Sequence, residues 1–157
     1  MKIVMGSDHA GFELKNELKE LVESLGHEVH DVGALVYDAQ DDYPDFAEKL
    51  AIELMEGRAD RGILLCGSGI GASIAANKFP GIHAANCEDY YSAHQGVEHD
   101  AMNVLVLGGR IVGQALAEDM VRGYLGAEYT GEERHARRLA KVEAIEARAI
   151  QGEYSPA

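Results

Sequence analysis

The chain has 157 residues, enough for one domain with a substantial core, and its composition is that of a soluble globular protein. With 27 acidic against 14 basic residues the formal net charge is −13, which argues against nucleic acid and anionic membrane surfaces as partners. The two cysteines, Cys66 and Cys87, make no disulfide framework, no signal-peptide pattern precedes Asp8, and no apolar run has transmembrane length; a cytoplasmic protein with reduced thiols is expected.

Lys2 to Met5 predicts a buried strand, stopped by Gly6-Ser7-Asp8-His9. A helix is expected from about Gly11 to Leu25, because Leu14, Leu18, Leu21, Val22 and Leu25 recur at helical spacing, and Gly26 is its stop. Glu28 to Val32 reads as a second, weaker strand, followed by a polar loop to Asp42. Pro44 suits the first turn of a helix running to about Met55, ended by Gly57. Gly62 to Cys66 is the third strand, with a helix from about Ile70 to Lys78, before Pro80. A fourth strand over Ile82 to Asn86 precedes a helix from Asp89 to about Glu98, weakened by Gly96, with His99 and Asp100 in the following loop. Val104 to Leu107 is the fifth strand, and Gln114 to Leu125 another amphipathic helix. Near-continuous apolar strands alternating with helices predict an α/β protein with a parallel sheet covered on both faces.

The tail differs. Glu132 to about Arg148 predicts a long helix with basic residues and a narrow apolar stripe of Leu139, Val142, Ile145 and Ala149. With the sheet already covered, this stripe is expected to pack on a second copy of the chain; the alternative is a helix that covers its own domain. Arg134 and Arg138 share one helical face and, with Arg110, could hold a phosphate; the alternative is a solvated basic face.

The chemistry concentrates between Ile63 and Ala76, where a strand breaks into Gly67, Gly69 and Gly71 and re-forms as a helix at Ile70. Such a turn aims backbone N–H groups at one point and adds the helix dipole. Cys66 is a candidate base or nucleophile there, Ser68 offers a hydroxyl, and the alternative for Cys66 is a small core residue. Gly67-x-Gly69-x-x-Ala72 also fits a dinucleotide fingerprint, with Glu88 about 20 residues on as its acid, so a nicotinamide or flavin site is a competing reading.

Ligands of open parallel sheets bind beyond the strands' carboxyl ends, where Asp8-His9, Asp42-Tyr43, Cys66 to Gly71, Cys87-Glu88 and Gly108 to Arg110 would gather. His27 with His30, and His94 with His99, lack a zinc spacing, so no metal is expected. Ser68 is not in a G-x-S-x-G elbow, which weakens a serine hydrolase. A thiolate base, an amide nest and a histidine suit proton abstraction beside a carbonyl, the amides holding the developing enediolate.

These residues resemble the type B ribose-5-phosphate isomerases, which share a family with the bacterial galactose-6-phosphate isomerases. The likeness is carried by residues 6–12 (GSDHAGF), 42–47 (DYPDFA), 62–71 (GILLCGSGIG), 73–78 (SIAANK), 98–100 (EHD), 103–105 (NVL), 108–113 (GGRIVG) and 134–138 (RHARR). It implies a Rossmann-like α/β/α sandwich and interconversion of ribose 5-phosphate and ribulose 5-phosphate through an enediolate, with no metal and no cofactor. Carried over, Cys66 is the base, His99 opens the sugar ring and Ser68 helps move protons. Gly67, Ser68, Gly69, Ile70 and Gly71 line the enediolate site, Asp8 and Tyr43 face sugar hydroxyls, and His9, Arg110, Arg134 and Arg138 hold the phosphate. The last two arginines come from the neighbouring subunit in the family, which implies a homodimer or a tetramer with shared sites. The family commonly has His-Asn where this chain has His99-Asp100, and an arginine where it has His83. Ionised Asp100 only accepts hydrogen bonds, so another sugar phosphate, a tetrose or hexose, is the near alternative, and a sugar-phosphate or nucleotide-binding module without turnover the more distant one.

Overall fold

The computed structural model describes residues 1–154. Five strands, β1 (Lys2–Ser7), β2 (Glu28–Asp31), β3 (Arg61–Cys66), β4 (Ala84–Asn86) and β5 (Val104–Gly108), form one sheet in the order β2-β1-β3-β5-β4. Every neighbouring pair is parallel. Six helices intervene or follow: α1 (Phe12–Ser24), α2 (Tyr43–Met55), α3 (Ile70–Ala76), α4 (Tyr90–Asp100), α5 (Gln114–Gly126) and α6 (Glu133–Ile150).

The two-residue period of a strand divides the core into two layers. Ile3, Met5, Ile63, Leu65, Leu105 and Leu107 pack against Leu14 and Leu18 of α1, Val97 of α4 and Met120 and Tyr124 of α5. Val4, Leu64, Cys66, Val104 and Val106 face the opposite way, against Phe46 and Leu50 of α2 and Ala72 and Ala76 of α3. This is the parallel sheet covered on both faces expected from the apolar runs, and the three-layer, Rossmann-like α/β/α sandwich that the family resemblance implies. It also fixes the side of Cys66, whose side chain lies on the α2/α3 layer. The chain leaves β1 for β2 on one side and returns to β3 on the other. The connections after β1 and β3 therefore diverge, and a crevice opens between their carboxyl ends.

Several boundaries differ from those expected: β1 runs on through Gly6 and Ser7, which pair with Leu64 and Leu65, and α3 ends at Ala76. His99 and Asp100 are not in a loop but in the last turn of α4, which ends at Ala101 in a left-handed conformation (φ 50°). Gly96 sits where a Cβ would lie 3.1 Å from the Met102 sulfur, so the residue that weakens the helix in sequence is what lets Met102 pack under it. β4 begins at Ala84 rather than Ile82. The Ile82 N–H bonds back to the Phe79 carbonyl and the His83 N–H to the Asn103 side chain, so neither amide donates to the strand ladder.

The α6 helix packs against α4, and further along its Glu146 accepts from the Gly81 N–H at 3.0 Å. His135 is buried, while Val142, Ile145 and Ile150 remain more than half exposed. Among the described residues, no helix is long and apolar enough to cross a membrane.

Candidate active site

The crevice between β1 and β3 is built on two glycines. Gly69 ends the turn after Cys66 with φ 82°, a left-handed backbone that also points the missing side chain at Asn86, whose Oδ1 would lie 2.0 Å from a Cβ. A Cβ on Gly71 would lie 2.6 Å from Cζ of Tyr43, so the ring of Tyr43, first residue of α2, lies directly on the start of α3. Asn86 steadies the turn by donating from Nδ2 to the Ser68 carbonyl at 3.4 Å.

In this frame the Gly69 N–H donates to the Cys66 sulfur at 3.2 Å. The Ile70 N–H donates to the Ser68 hydroxyl at 3.3 Å. The first amides of α3 have no carbonyl within the helix to bond. Asp8 is nearly buried, and its Oδ1 accepts from the N–H groups of Ala10 (2.9 Å) and Gly11 (3.2 Å). Arg110 is held by its backbone N–H on the Gly67 carbonyl at 3.0 Å. Asp8, Tyr43, Cys66, Gly67, Ser68, Gly71 and Arg110 line one open cavity of about 370 Å³. A second, of about 390 Å³, holds His9, and Arg110 lines both. The geometry thus gathers Asp8, Tyr43, Gly67 to Gly71 and Arg110 around Cys66, with His9 in the second cavity that Arg110 also lines.

His99, Asp100, Arg134 and Arg138 form a separate group. α4 and α6 carry them to the amino end of the sheet, before β5 begins at Val104, whereas Cys66 pairs with Gly108 at the carboxyl end. The strand between them spans about 13 Å. The His99 ring stacks on His135 with centroids 3.9 Å apart. Gln95 donates from Nε2 to Oδ2 of Asp100 at 3.2 Å and meets Nδ1 of His99 at 2.8 Å. A carboxylate only accepts, so the Gln95 atom facing Asp100 is its nitrogen; Nδ1 of His99 then accepts, and the ring proton sits on Nε2. The Arg134 Nε donates to His135 Nε2 at 3.0 Å. Burial, then the adjacent His99 and the Arg134 guanidinium, holds His135 below the usual imidazole value.

Sequence reasoning gave no role to Asp41, Asn86, Gln95 or His135. Only Gln95 carried a signal, standing four residues before His99 on a helix. Cys87 is a different thiol: burial, and secondly Asp89, pushes it up to about 11. The dinucleotide reading loses its acid, because Glu88 follows β4, which β5 separates from β3. Among the described residues, no three His, Cys, Asp or Glu side chains cluster as a metal ion would need.

Fold and crevice define a doubly wound α/β protein with a thiol and an arginine at its switch point. A profile of the Ribose/Galactose Isomerase family matches residues 3–142, and the chain belongs to that family. It is 45% identical over 147 residues to ribose-5-phosphate isomerase B of Escherichia coli, covering 94% of this chain and 97% of that one. It is 40% identical over 134 residues to D-erythrulose-4-phosphate isomerase of Pectobacterium atrosepticum, covering 83% and 86%. Among solved structures, ribose-5-phosphate isomerase B of Clostridium thermocellum superposes with a TM-score of 0.91 at 47% identity, covering 95% of this chain and 99% of that one.

Proposed function

We propose that this chain is an aldose–ketose isomerase that interconverts ribose 5-phosphate and ribulose 5-phosphate through an enediolate, without a metal or cofactor. The observation that carries the reading is the Cys66 thiol, facing the Gly69 N–H, in one cavity with Asp8, Tyr43, Ser68 and Arg110. The Cys66 thiolate takes the proton from C2 of the open-chain aldose and returns it to C1. The N–H groups of Gly67 to Gly71 hold the enediolate oxygens, where preorganised donors contribute most. Ser68 relays the proton between O1 and O2. Asp8 and Tyr43 bind sugar hydroxyls, and His9 and Arg110 face the phosphate.

His99, Arg134 and Arg138 enter this site from a second copy. They lie at the other end of their own sheet from Cys66, and Val142, Ile145 and Ile150 are each more than half exposed among the described residues. A homodimer, or a tetramer of such dimers, would bury these apolar side chains and bring His99 Nε2–H to the ring oxygen as the acid that opens the sugar.

The same chemistry on a tetrose or hexose phosphate is the second reading. It is favoured by Asp100, whose carboxylate accepts where an amide would also donate, and by the similarity to an erythrulose-phosphate isomerase. The test is conversion of ribose 5-phosphate under excess chelator by the native chain and by Cys66→Ala. Conversion that Cys66→Ala abolishes, with sugar-phosphate binding retained, supports the reading. A well-folded native chain that converts no pentose phosphate but turns over a tetrose or hexose phosphate moves the substrate; binding without any turnover makes it a binding module.

A further inference from the structure

The loop between β2 and α2 carries an aspartate that nothing above uses. The Asp38 side chain accepts from the Gln40 N–H at 2.9 Å and its carbonyl from the Asp41 N–H at 3.1 Å, a turn that points Asp41 back at the crevice. There, Oδ1 of Asp41 meets both the backbone N–H of His9 at 2.9 Å and its ring Nδ1 at 2.7 Å. The Asp41 side chain is only 12% exposed, and its Oδ2 has no partner among the described residues.

We propose that Asp41 is a positioning residue that aims His9 at the phosphate of the substrate; this rests on the sugar-phosphate reading above. A carboxylate only accepts, so Nδ1 of His9 carries a hydrogen and Nε2 is the nitrogen left for a ligand. Two bonds to one oxygen fix both the backbone and the ring of His9, and the edge of Tyr37 closes a third side at 6.2 Å between centroids. The ring then lines the cavity that Arg110 shares with the Cys66 site. Glu13 and Glu17 line it too, so an anion settles there only if the cationic and N–H donors are held ready. A free imidazole would lose rotamer freedom on binding; here that cost falls on folding instead.

The experiment measures KM and kcat for ribose 5-phosphate, and the inhibition constant of inorganic phosphate, in native protein, Asp41→Ala, Asp41→Asn, His9→Ala and the His9→Ala/Asp41→Ala double variant. Asp41→Ala is expected to raise KM and the phosphate constant together by about tenfold, the worth of one charge-assisted hydrogen bond, with kcat nearly unchanged. Asp41→Asn, whose Oδ1 accepts the same two bonds, retains most of the affinity. The double variant binds phosphate no more weakly than His9→Ala. Equal weakening by Asp41→Ala with and without His9, or no weakening at all, overturns the proposal. If the native chain turns over no sugar phosphate, the functional reading fails, while the phosphate titration and the ¹⁵N signals of His9 still decide the role of Asp41. A ring whose Nδ1–H and phosphate response are the same in Asp41→Ala overturns it.

Discussion

Lys15 is the most buried charge in the molecule, and its removal has a calculable cost. Its side chain is fully buried, and Nζ donates to both Asp31 oxygens at 2.7 Å and to the Ala34 carbonyl at 2.8 Å. All three ammonium hydrogens are thus used. Asp31 in turn accepts from the Gly33 N–H at 3.0 Å, so the pair fastens the start of the loop that bears Tyr37 and Asp41. Lys15→Met keeps the length and apolar stem but leaves Asp31 without its close cation. Breaking a buried pair from one side costs about 3–5 kcal/mol. Lys19 stays 3.8 Å from Asp31 and the Gly33 bond survives, so the low end, about 3 kcal/mol, is expected. With a urea slope of about 2 kcal/mol/M, the unfolding midpoint should fall by about 1.5 M. Urea titration by circular dichroism at one protein concentration measures it. Lys15→Met/Asp31→Leu should lose much less than the two single variants summed, because no lone charge remains. A Lys15→Met cost below about 1 kcal/mol, or strict additivity in the double variant, would refute the reasoning.

Gly69→Ala meets both a left-handed backbone and Asn86, so it should cost about 2–3 kcal/mol and lower the melting temperature by roughly 5–10 °C, with a fall in kcat. Asn86→Ala in the same background should return part of the loss; an unchanged melt for Gly69→Ala would count against the geometry. Because burial, and then Asp89, raises Cys87 to about 11, it stays a thiol at pH 8, and alkylation that inactivates the protein should map to Cys66 by peptide mass and persist in Cys87→Ala. First modification at Cys87 would contradict this. His135 is held below its unfolded value by burial, His99 and Arg134. Above about pH 6.5 it is neutral folded and unfolded, and on acidification the unfolded chain takes the proton first. Stability should therefore fall from about pH 6.5 downward until the folded ring also protonates, and His135→Gln should flatten that part of the profile. An unchanged slope in His135→Gln would place the acid sensitivity elsewhere.

The sheet and its helices were legible because buried parallel strands need apolar runs and their helices need a 3.6-residue stripe. Cys66 and its glycines were legible for a similar local reason: one short stretch holds the turn, the thiol and the helix start. What chain order could not give is which end of the sheet a residue occupies. His99 stands close to the fifth strand in sequence, yet the helix ending at Asp100 delivers it to the amino end, away from Cys66. Strand order was hidden too, because β5 inserts between β3 and β4, and that insertion is what removes Glu88 from the glycine turn. Asp41 left no mark in sequence, since an acidic loop residue becomes a histidine's partner only after 32 positions of chain have folded back.

The measurement closest to the central claim, one site built from two copies, is subunit complementation. Cys66→Ala and Arg138→Ala chains, each inactive alone, are unfolded together, refolded as a 1:1 mixture and assayed for sugar-phosphate isomerisation. Each mixed dimer would hold one intact site, with Cys66 from one chain and Arg138 from the other, so activity should return to roughly a quarter of the native level. Verified mixed dimers with no activity would contradict a shared site and put His99, Arg134 and Arg138 outside the chemistry of Cys66.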